Sequence, residues 1–267
     1  MFVVVEDGLV PLLTSASGLP PTAPLTAPDL PLRGRLFWWT IWHHASPLGH
    51  WMPVNPPLST QARFSVRGLA CRRGDRLVFR GIDFALGDGA ALILRGPNGS
   101  GKSSLLRVLA GLTPAFGGTL SWGGQDIAGD WLAHRARLHF IGHLDALKPV
   151  LTPIEMLGFW SRLRGGSLAA AGRALERFHL ADLAQLPCRF LSAGQRRRLS
   201  LARLLTSQAA LWLLDEPTVG LDEASTADIL DAIAEHRAGG SIVIASTHMQ
   251  LAIEGAQTLA LDEFAPG

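Results

Sequence analysis

The chain has 267 residues, 48% hydrophobic and 17% charged, so it can bury a sizeable core in one or two domains. Its formal net charge of +2 gives little support for a nucleic-acid partner, and its two cysteines, Cys71 and Cys188, match no disulfide or metal-binding spacing. No apolar run reaches the ~18 residues that a transmembrane helix needs, so we expect a chain that works in a reduced, cytosolic setting without spanning a membrane.

Residues 1–60 differ from the rest of the chain because proline recurs throughout them. Proline fixes φ and has no backbone N–H, so a Pro-rich stretch resists both helix and sheet. We therefore predict a disordered or loosely attached extension. An alternative stays open, in which translation starts at Met52 and the residues before it are not part of the protein.

A folded domain is predicted from residue 63 to residue 263. Alternating apolar residues predict two antiparallel strands at residues 64–70 and 82–87, and the continuous apolar run at residues 90–95 is typical of a buried strand. The remaining elements predicted in this half are a helix at residues 105–112 and short strands at residues 118–122 and 138–142.

The second half of the chain alternates helices with apolar strands. Thr152 and Glu155 form a capping box with Pro153 at the first helical position, which predicts a helix that ends at about Leu163. The alternation predicts an α/β domain with a parallel sheet, into which residues of about 152–205 are inserted as a helical unit. The other predicted elements are helices at residues 168–178, after Ser192 and at residues 223–237, and strands at residues 210–214 and 241–246.

The stretch GPNGSGKS, residues 96–103, matches the phosphate-binding loop pattern G-x-x-x-x-G-K-[ST]. Glycines let the backbone curl so that its N–H groups point at phosphate oxygens, and the helix that follows aims its positive end at the same place. Lys102 would reach the β- and γ-phosphates, and Ser103 would hold Mg²⁺. A chance match in a Gly-rich turn is disfavoured because the motif follows a buried strand and opens a helix. The predicted nucleotide-binding residues of this loop are Gly96, Pro97, Asn98, Gly99, Ser100, Gly101, Lys102, Ser103 and Ser104.

A second motif, LWLLDE, is a buried strand that ends in two carboxylates, Asp215 and Glu216. Asp215 would complete the Mg²⁺ shell that Ser103 begins, and Glu216 would polarise the attacking water as the catalytic residue. The two motifs together predict a site that hydrolyses a nucleoside triphosphate.

A third motif, LSAGQ, opens a helix whose N-terminus offers an anion site at Ser192 and Gly194, unless it is simply a capped helix. In the order GPNGSGKS, LSAGQ, LLDEP and His248, the sequence resembles the ATP-binding cassette (ABC) transporter motor subunits, over about residues 64–262. The resemblance implies an α/β P-loop NTPase cassette with a parallel core sheet, an antiparallel β subdomain and the helical insert.

The resemblance also assigns roles to individual residues. It implies that Ser192, Gly194 and Gln195 face the γ-phosphate of an ATP held by a second copy of the chain, so that ATP is sandwiched in a head-to-tail homodimer. It assigns Asp222 to the loop VGLD near that interface, and His248 to contact with the γ-phosphate and the attacking water. ATP and Mg²⁺ are the cofactors that it implies.

Two residues that the family pattern leads us to expect are missing. The family stacks an aromatic side chain, often Tyr, on adenine, whereas this chain has no Tyr and Arg73 lies nearest the expected position. The Arg73 guanidinium could stack on adenine, or it could be solvated while the base is held loosely. The family also places a Gln after the strand predicted at residues 138–142, where this chain has His143 and Leu144.

A narrower resemblance rests on FIGHLDALKPVLTPIEML and LSAGQRRRLSLARLL, which are similar to the haem-exporting ATP-binding subunits of cytochrome c maturation. It implies an ATPase that is peripheral on the cytoplasmic face of the inner membrane and drives an integral membrane permease, with no nucleic acid as partner. Two alternatives remain: a motor for another exported cargo, and a cassette ATPase that acts on nucleic acid or ribosomes through the basic run at residues 196–198. The single cassette and the short insert favour a transporter motor.

Overall fold

The structure, a computed structural model, describes residues 2–5, 8–11, 62–248 and 251–266. Near the N-terminus, β1 (Phe2–Val5) and β2 (Gly8–Pro11) pair with each other as antiparallel strands. Apart from these two strands, the extension predicted at residues 1–60 lies outside the described residues, so its predicted disorder stays a prediction.

From residue 62 onward, strands and helices alternate as the sequence predicts, and short 3₁₀ helices connect several of them. The strands are β3 (Phe64–Arg73), β4 (Arg76–Leu86), β5 (Ala91–Arg95), β6 (Gly117–Trp122), β7 (Gln125–Asp126), β8 (Leu138–Ile141), β9 (Leu211–Asp215), β10 (Ile242–Ser246) and β11 (Gln257–Ala260). The helices are α1 (Lys102–Leu109), α2 (Trp131–Ala136), α3 (Pro153–Leu163), α4 (Leu168–Arg177), α5 (Ala193–Ala202) and α6 (Glu223–Ala238).

A five-stranded parallel sheet forms the centre of the fold, in the order β11-β5-β10-β9-β8. Its middle strands are continuous apolar runs because both faces of the sheet are covered. In β9, Leu211 and Leu213 belong to one apolar core, whereas Trp212 and Leu214 belong to a second core on the other face. The predicted parallel sheet is confirmed.

The two cores bring different helices onto the sheet. The first core contains Leu105 and Leu109 of α1 together with the antiparallel sheet. The second core contains Ile229 and Ile233 of α6 together with the helical insert. The central sheet is therefore the layer on which every other part of the domain packs.

The antiparallel subdomain is a four-stranded sheet in the order β4-β3-β6-β7. It confirms the predicted strand pair, but both strands are longer than the apolar alternation indicates, since β3 ends at Arg73 and β4 begins at Arg76. The tight turn between them carries Gly74, whose φ of +58° suits a residue without Cβ. This turn extends the hairpin toward the phosphate-binding loop.

The helical insert is built from α3, α4 and α5, and α3 and α5 begin at the predicted caps, Thr152 and Ser192. The Thr152 hydroxyl accepts the Glu155 N–H while the Glu155 carboxylate accepts the Thr152 N–H, so the capping box is confirmed. Ser167 caps α4 in the same way through its hydroxyl. These caps satisfy backbone N–H groups that would otherwise have no partner at the start of each helix.

Three elements were not predicted from the sequence: β7, α2 and β11. The strand β11 lies at an edge of the parallel sheet and is half exposed, so it lacks the apolar run of the central strands. The helix α2 has only six residues, with its start fixed by the Asp130 side chain. Among the residues that the structure describes, no helix is long and apolar enough to cross a membrane.

Candidate active site

The candidate site lies where four parallel strands end at one edge of the sheet. The strand β5 leads into the phosphate-loop motif, β9 ends in Asp215, β10 ends in Ser246 and β8 leads to His143. These ends surround an open cleft of about 720 Å³. The cleft is lined by Arg73, Arg76, Val78, Asn98, Gly99, Gly101, Lys102, Ser103, Ser104, His143, Asp215, Glu216, Val219 and His248.

The loop after β5 needs glycine at its tight positions. Gly96 has a φ of +139° and Gly101 a φ of +103°, and L side chains rarely adopt either conformation. A Cβ at Gly101 would lie 2.7 Å from the Cγ1 atom of Val78, so β4 packs closely against the start of α1 only because this residue has no side chain.

Lys102 begins α1 and is buried, with its ammonium group folded over the loop. Its Nζ donates to the carbonyl oxygens of Gly96 at 2.7 Å and Pro97 at 3.1 Å. Positive charge therefore lies beside the start of α1, where no side chain of the cap residue Gly101 covers the backbone N–H groups. The buried hydroxyl of Ser100 has no hydrogen-bond partner within the described part of the chain. These donors together fit a phosphate group.

Asp215 and Glu216 are adjacent in sequence and are linked through one serine. The buried Asp215 accepts a 2.6 Å hydrogen bond at Oδ1 from the hydroxyl of Ser246, which ends the neighbouring strand. The same hydroxyl oxygen accepts the backbone N–H of Glu216 at 3.0 Å. Ser246 thus fixes the side chain of one acid and the backbone of the next.

Glu216 has a backbone conformation that glutamate rarely adopts. Its φ of +49° lies in the left-handed region, which costs on the order of 1–3 kcal/mol and persists only where the surroundings hold it. The Glu216 carboxylate meets His248: Oε2 lies 2.9 Å from Nδ1 and 3.3 Å from the backbone nitrogen. Where Nδ1 carries a proton, it donates this hydrogen bond to the carboxylate oxygen.

Ser103 and Asp215 both line the cleft, as the Mg²⁺ assignment requires. Hydroxyl and carboxylate oxygens are the ligands that Mg²⁺ prefers, so the two residues fit this ion. Across residues 62–248 and 251–266, no group of three His, Cys, Asp or Glu side chains could hold a metal by itself. A Mg²⁺ ion here would take the rest of its shell from phosphate oxygens and water, as it commonly does.

The side of the cleft formed by the β3–β4 hairpin carries two arginines. Arg73 and Arg76 pair across the hairpin and are exposed, and Val78 lies beside them in the cleft wall. Arg73, the residue predicted to face adenine, therefore lies at the cleft. Arg76 and Val78 were not predicted, because nothing in the sequence sets the length of the hairpin that carries them.

The LSAGQ motif at residues 191–195, called the signature motif below, lies outside the lining of the cleft. Ser192 caps α5 by accepting the Gln195 N–H at 3.2 Å, while the Gln195 side chain accepts the Ser192 N–H at 2.8 Å. A Cβ at Gly194 would meet the carbonyl oxygen of Gly220 at 3.4 Å, so the start of α5 lies against the VGLD loop. Ser192, Gly194, Gln195 and Asp222 are not among the residues that line the cleft.

Asp222 acts within its own chain as the cap of α6. Its carboxylate accepts the Ser225 N–H at 2.8 Å. Hydrogen bonds from Ser225 lower the pKa of Asp222 below its usual range. Its carboxylate is therefore held in the charged form by local contacts.

Known ABC transporter proteins match this chain by sequence. The ABC transporter family model matches residues 79–219. The cytochrome c biogenesis ATP-binding export protein CcmA of Rhodospirillum rubrum is 54% identical over 205 residues, which cover 77% of this chain and 88% of the relative. The protein of the same name from Paramagnetospirillum magneticum is 54% identical over 210 residues, which cover 77% and 97%. The chain belongs to this family of ABC transporter ATPases.

Solved ABC ATPases share the fold of this family member. A putative ABC transporter ATP-binding protein from Pyrococcus furiosus has a TM-score of 0.67 at 25% identity, and the match covers 76% of this chain and 99% of that one. An ATP-binding cassette of an ABC transporter, solved in its ADP conformation, has a TM-score of 0.60 at 23% identity, over 72% and 83% of the two chains, which reflects the fold alone. The chain is an ATP-binding, ATP-hydrolysing ABC subunit with the predicted α/β cassette fold.

The ABC family motifs do not reveal every residue that shapes this site. Ser246 was missed, although it stands directly before the Thr-His pair and ends a strand that was predicted to be buried. Of the two positions left open for the missing Gln, His143 lines the cleft, whereas Leu144 is 63% exposed. This ABC ATPase therefore has an imidazole in the wall of the cleft that Asp215 and Glu216 also line.

Proposed function

We propose that this chain is the motor subunit of a haem exporter for cytochrome c maturation and hydrolyses ATP in the cleft at the sheet edge. The observation that carries the proposal is the convergence of the phosphate loop, Asp215, Glu216 and His248 in one cleft. The CcmA proteins of similar sequence carry the words cytochrome c biogenesis and export in their names. These relatives support the assignment to cytochrome c maturation, while the geometry of the cleft supports ATP hydrolysis.

The first step is binding of the triphosphate by the loop and α1. The backbone N–H groups of residues 99–103 face the phosphates, and Lys102 supplies the point charge at the β- and γ-phosphates. When Mg²⁺ is bound, it neutralises charge on the phosphate oxygens, and Ser103 and Asp215 would hold it. Arg73 stacks its guanidinium on adenine in place of the aromatic ring that the family uses.

The second step is attack of water on the γ-phosphate, in which the bond to the β–γ bridging oxygen breaks and ADP leaves. Glu216 accepts a hydrogen bond from the water and polarises it, with its carboxylate held by His248 on one side and its backbone held by Ser246 on the other. His248 lies close enough to place a polar nitrogen at the γ-phosphate and the water. The left-handed backbone conformation of Glu216 thus helps to orient this carboxylate toward the water.

We propose that a second copy completes the site. The start of α5 is a helix N-terminus at the surface with Ser192, Gly194 and Gln195, and these residues do not line the cleft of their own chain. A head-to-tail homodimer would place these donors on the γ-phosphate bound by the partner copy, where the helix dipole favours negative charge. Asp222 would lie near the same interface.

An integral membrane permease is the partner to which ATP binding and hydrolysis are coupled. The chain binds it as a peripheral subunit on the cytoplasmic face of the inner membrane. The proposed contact is an apolar surface made by Leu144, Val150 and Phe190, all exposed. The last two lie on segments joined by hydrogen bonds from the N–H of Cys188 to Leu151 O at 2.8 Å and from the N–H of Arg189 to Pro149 O at 3.0 Å. Large exposed apolar side chains on adjoining segments, such as Val150 and Phe190, are typical of protein contacts. Residues 63–263 form the proposed ATPase domain, and nucleic acid is not a partner.

Affinity capture of the tagged full-length chain from detergent-solubilised membranes tests this function. A haem-handling integral membrane subunit should be retained, and its retention should fall when Val150 and Phe190 are both changed to Asp. Retention of a permease for another cargo would overturn the haem assignment, and retention of ribosomes or nucleic acid without a membrane subunit would overturn the transporter assignment.

A further inference from the structure

The three arginines of the basic run that follows the LSAGQ signature motif, residues 196–198, do not share one environment in the fold. Arg196 donates to the carbonyl oxygen of Leu191 and Arg198 to that of Phe178, both within the helical insert. Arg197 points the other way, toward the ends of the central strands, and only 7% of its side chain is exposed. The middle arginine is therefore an interior residue, although the run looks like a solvated patch in the sequence.

The Arg197 guanidinium contacts the backbone on both sides of the catalytic carboxylate. Its Nη2 donates to the carbonyl oxygen of Asp215 at 2.8 Å and to that of Glu216 at 2.7 Å. These two carbonyls flank the Cα of Glu216, whose φ is +49°. Because a left-handed glutamate persists only where its surroundings hold it, this nitrogen is one of the groups that keep Glu216 in place.

The other terminal nitrogen of Arg197 reaches the loop after β8. Its Nη1 donates to the carbonyl oxygen of Gly142 at 3.0 Å and lies 3.5 Å from Oδ1 of Asp145. Between these two residues lie His143, which lines the cleft, and the exposed Leu144. One planar group thus joins three separate parts of the chain: the signature helix, this loop and the end of β9.

We propose that Arg197 is a positioning residue, which fixes the backbone of Glu216 and transmits displacement of the loop at residues 142–145 to the catalytic carboxylate. A planar guanidinium suits this role because its two terminal nitrogens donate in fixed, separate directions, whereas the three N–H bonds of an ammonium group diverge from one nitrogen. Asp145 is 25% exposed, so a bound partner can reach it and displace it from Arg197. The inference rests on the proposed catalytic role of Glu216.

The test is steady-state ATP hydrolysis by the purified full-length chain carrying Arg197→Lys. We expect kcat to fall about tenfold or more while KM for ATP stays within about twofold, because the phosphate loop is untouched. Asp145→Asn, at a partly exposed site that tolerates the change, should lower kcat in the same direction by a smaller factor. Arg198→Lys is the matched control on the same helix and should leave both constants unchanged.

Double variants separate positioning from a general loss of structure. If Arg197 acts through Glu216, Arg197→Lys should cause no further fall in kcat in the Glu216→Gln background, measured in single-turnover experiments with radiolabelled ATP. Asp145→Asn should likewise add nothing in the Arg197→Lys background. Multiplicative effects in these pairs, or wild-type kcat in Arg197→Lys, would overturn the inference.

Two further results are interpreted separately: a variant that does not fold, and a Glu216 variant that hydrolyses ATP normally. If Arg197→Lys does not fold, Asp145→Asn combined with Glu216→Gln decides the matter, since a further fall in that double variant would overturn the link. Wild-type hydrolysis by Glu216→Gln alone would instead overturn the proposed catalytic role on which the inference rests.

Discussion

Nδ1 of His248 lies 2.9 Å from Oε2 of Glu216, although the two residues follow different strands. They meet because β9 and β10 are neighbours in the parallel sheet, with Asp215 paired to Ser246 at their ends. The His248 backbone N–H approaches the same oxygen at 3.3 Å. Oε2 is therefore contacted by both the ring and the backbone of His248.

Loss of this contact should affect turnover more than binding. In His248→Ala the Glu216 carboxylate loses its ring partner, and the γ-phosphate loses a nearby polar nitrogen, so we expect kcat to fall about 100-fold. KM for ATP should change little, because the phosphate loop and Lys102 are untouched. Steady-state ATPase kinetics check this, and a variant with raised KM but unchanged kcat would show that His248 serves binding alone.

Lys102→Ala should abolish measurable ATP turnover and weaken ATP binding, because the loop loses its point charge at the β- and γ-phosphates. Titration with a fluorescent ATP analogue and an ATPase assay measure the two effects. Lys148, the other lysine of the sequence, provides the matched control, and Lys148→Ala should hydrolyse ATP like the unaltered chain. Equal activity of the two variants would refute the site.

The positions of the motifs that line the cleft could be predicted from the sequence because each combines fixed residue types with a local structural context. The phosphate loop lies between a buried strand and a helix, and the Asp-Glu pair ends a strand with apolar residues on both faces. Once the strands are known to be parallel, their carboxyl ends must meet at one edge. The caps at Thr152 and Ser192 were predictable for the same local reason.

Side-chain direction at the site could not be predicted in this way. The positive φ of Glu216 and the shared hydroxyl of Ser246 depend on the register between β9 and β10, which no local pattern encodes. Arg197 was indistinguishable from its neighbours in the basic run, since helix phase alone does not say which face meets the strand ends. The edge strand β11 gave no signal because half of it faces solvent.

A buried histidine far from the cleft should make the fold sensitive to acid. Burial, and to a smaller extent the neighbouring Arg164 and Arg203, lowers the pKa of His139 to about 3. The unfolded chain takes up this proton as pH falls through about 6.5, whereas the folded chain does not until about pH 3, so stability is full above pH 6.5 and is lost as pH falls between these values. This residue alone should lower the free energy of unfolding by about 2 kcal/mol between pH 7 and pH 5.

The comparison that isolates this effect uses His139→Gln, which keeps a polar side chain near Ser207 but cannot take up a proton. Urea unfolding at pH 7 and pH 5 gives the loss of stability for each protein. The loss should be smaller in the variant by about 2 kcal/mol, even if its stability at pH 7 is lower. An equal loss in both proteins would show that His139 does not control the acid response.

Deletion of residues 1–51 should leave the ATPase constants unchanged, because every residue of the proposed site lies beyond residue 62 and, among the described residues, the two apolar cores are formed from Phe64 onward. Thermal unfolding and steady-state kinetics of the truncated and full-length chains check this. A truncated chain that fails to fold would show that the extension packs on the ATPase domain.

The central claim is that Glu216 polarises the attacking water in a site that two copies complete around ATP. Its most direct measurement combines single-turnover hydrolysis with light scattering on Glu216→Gln in the presence of ATP and Mg²⁺. We expect hydrolysis to slow by about 100-fold or more, because glutamine cannot accept the proton, while ATP binding persists and a stable dimer accumulates. Hydrolysis at the wild-type rate, or a variant that binds ATP and remains monomeric, would contradict the account.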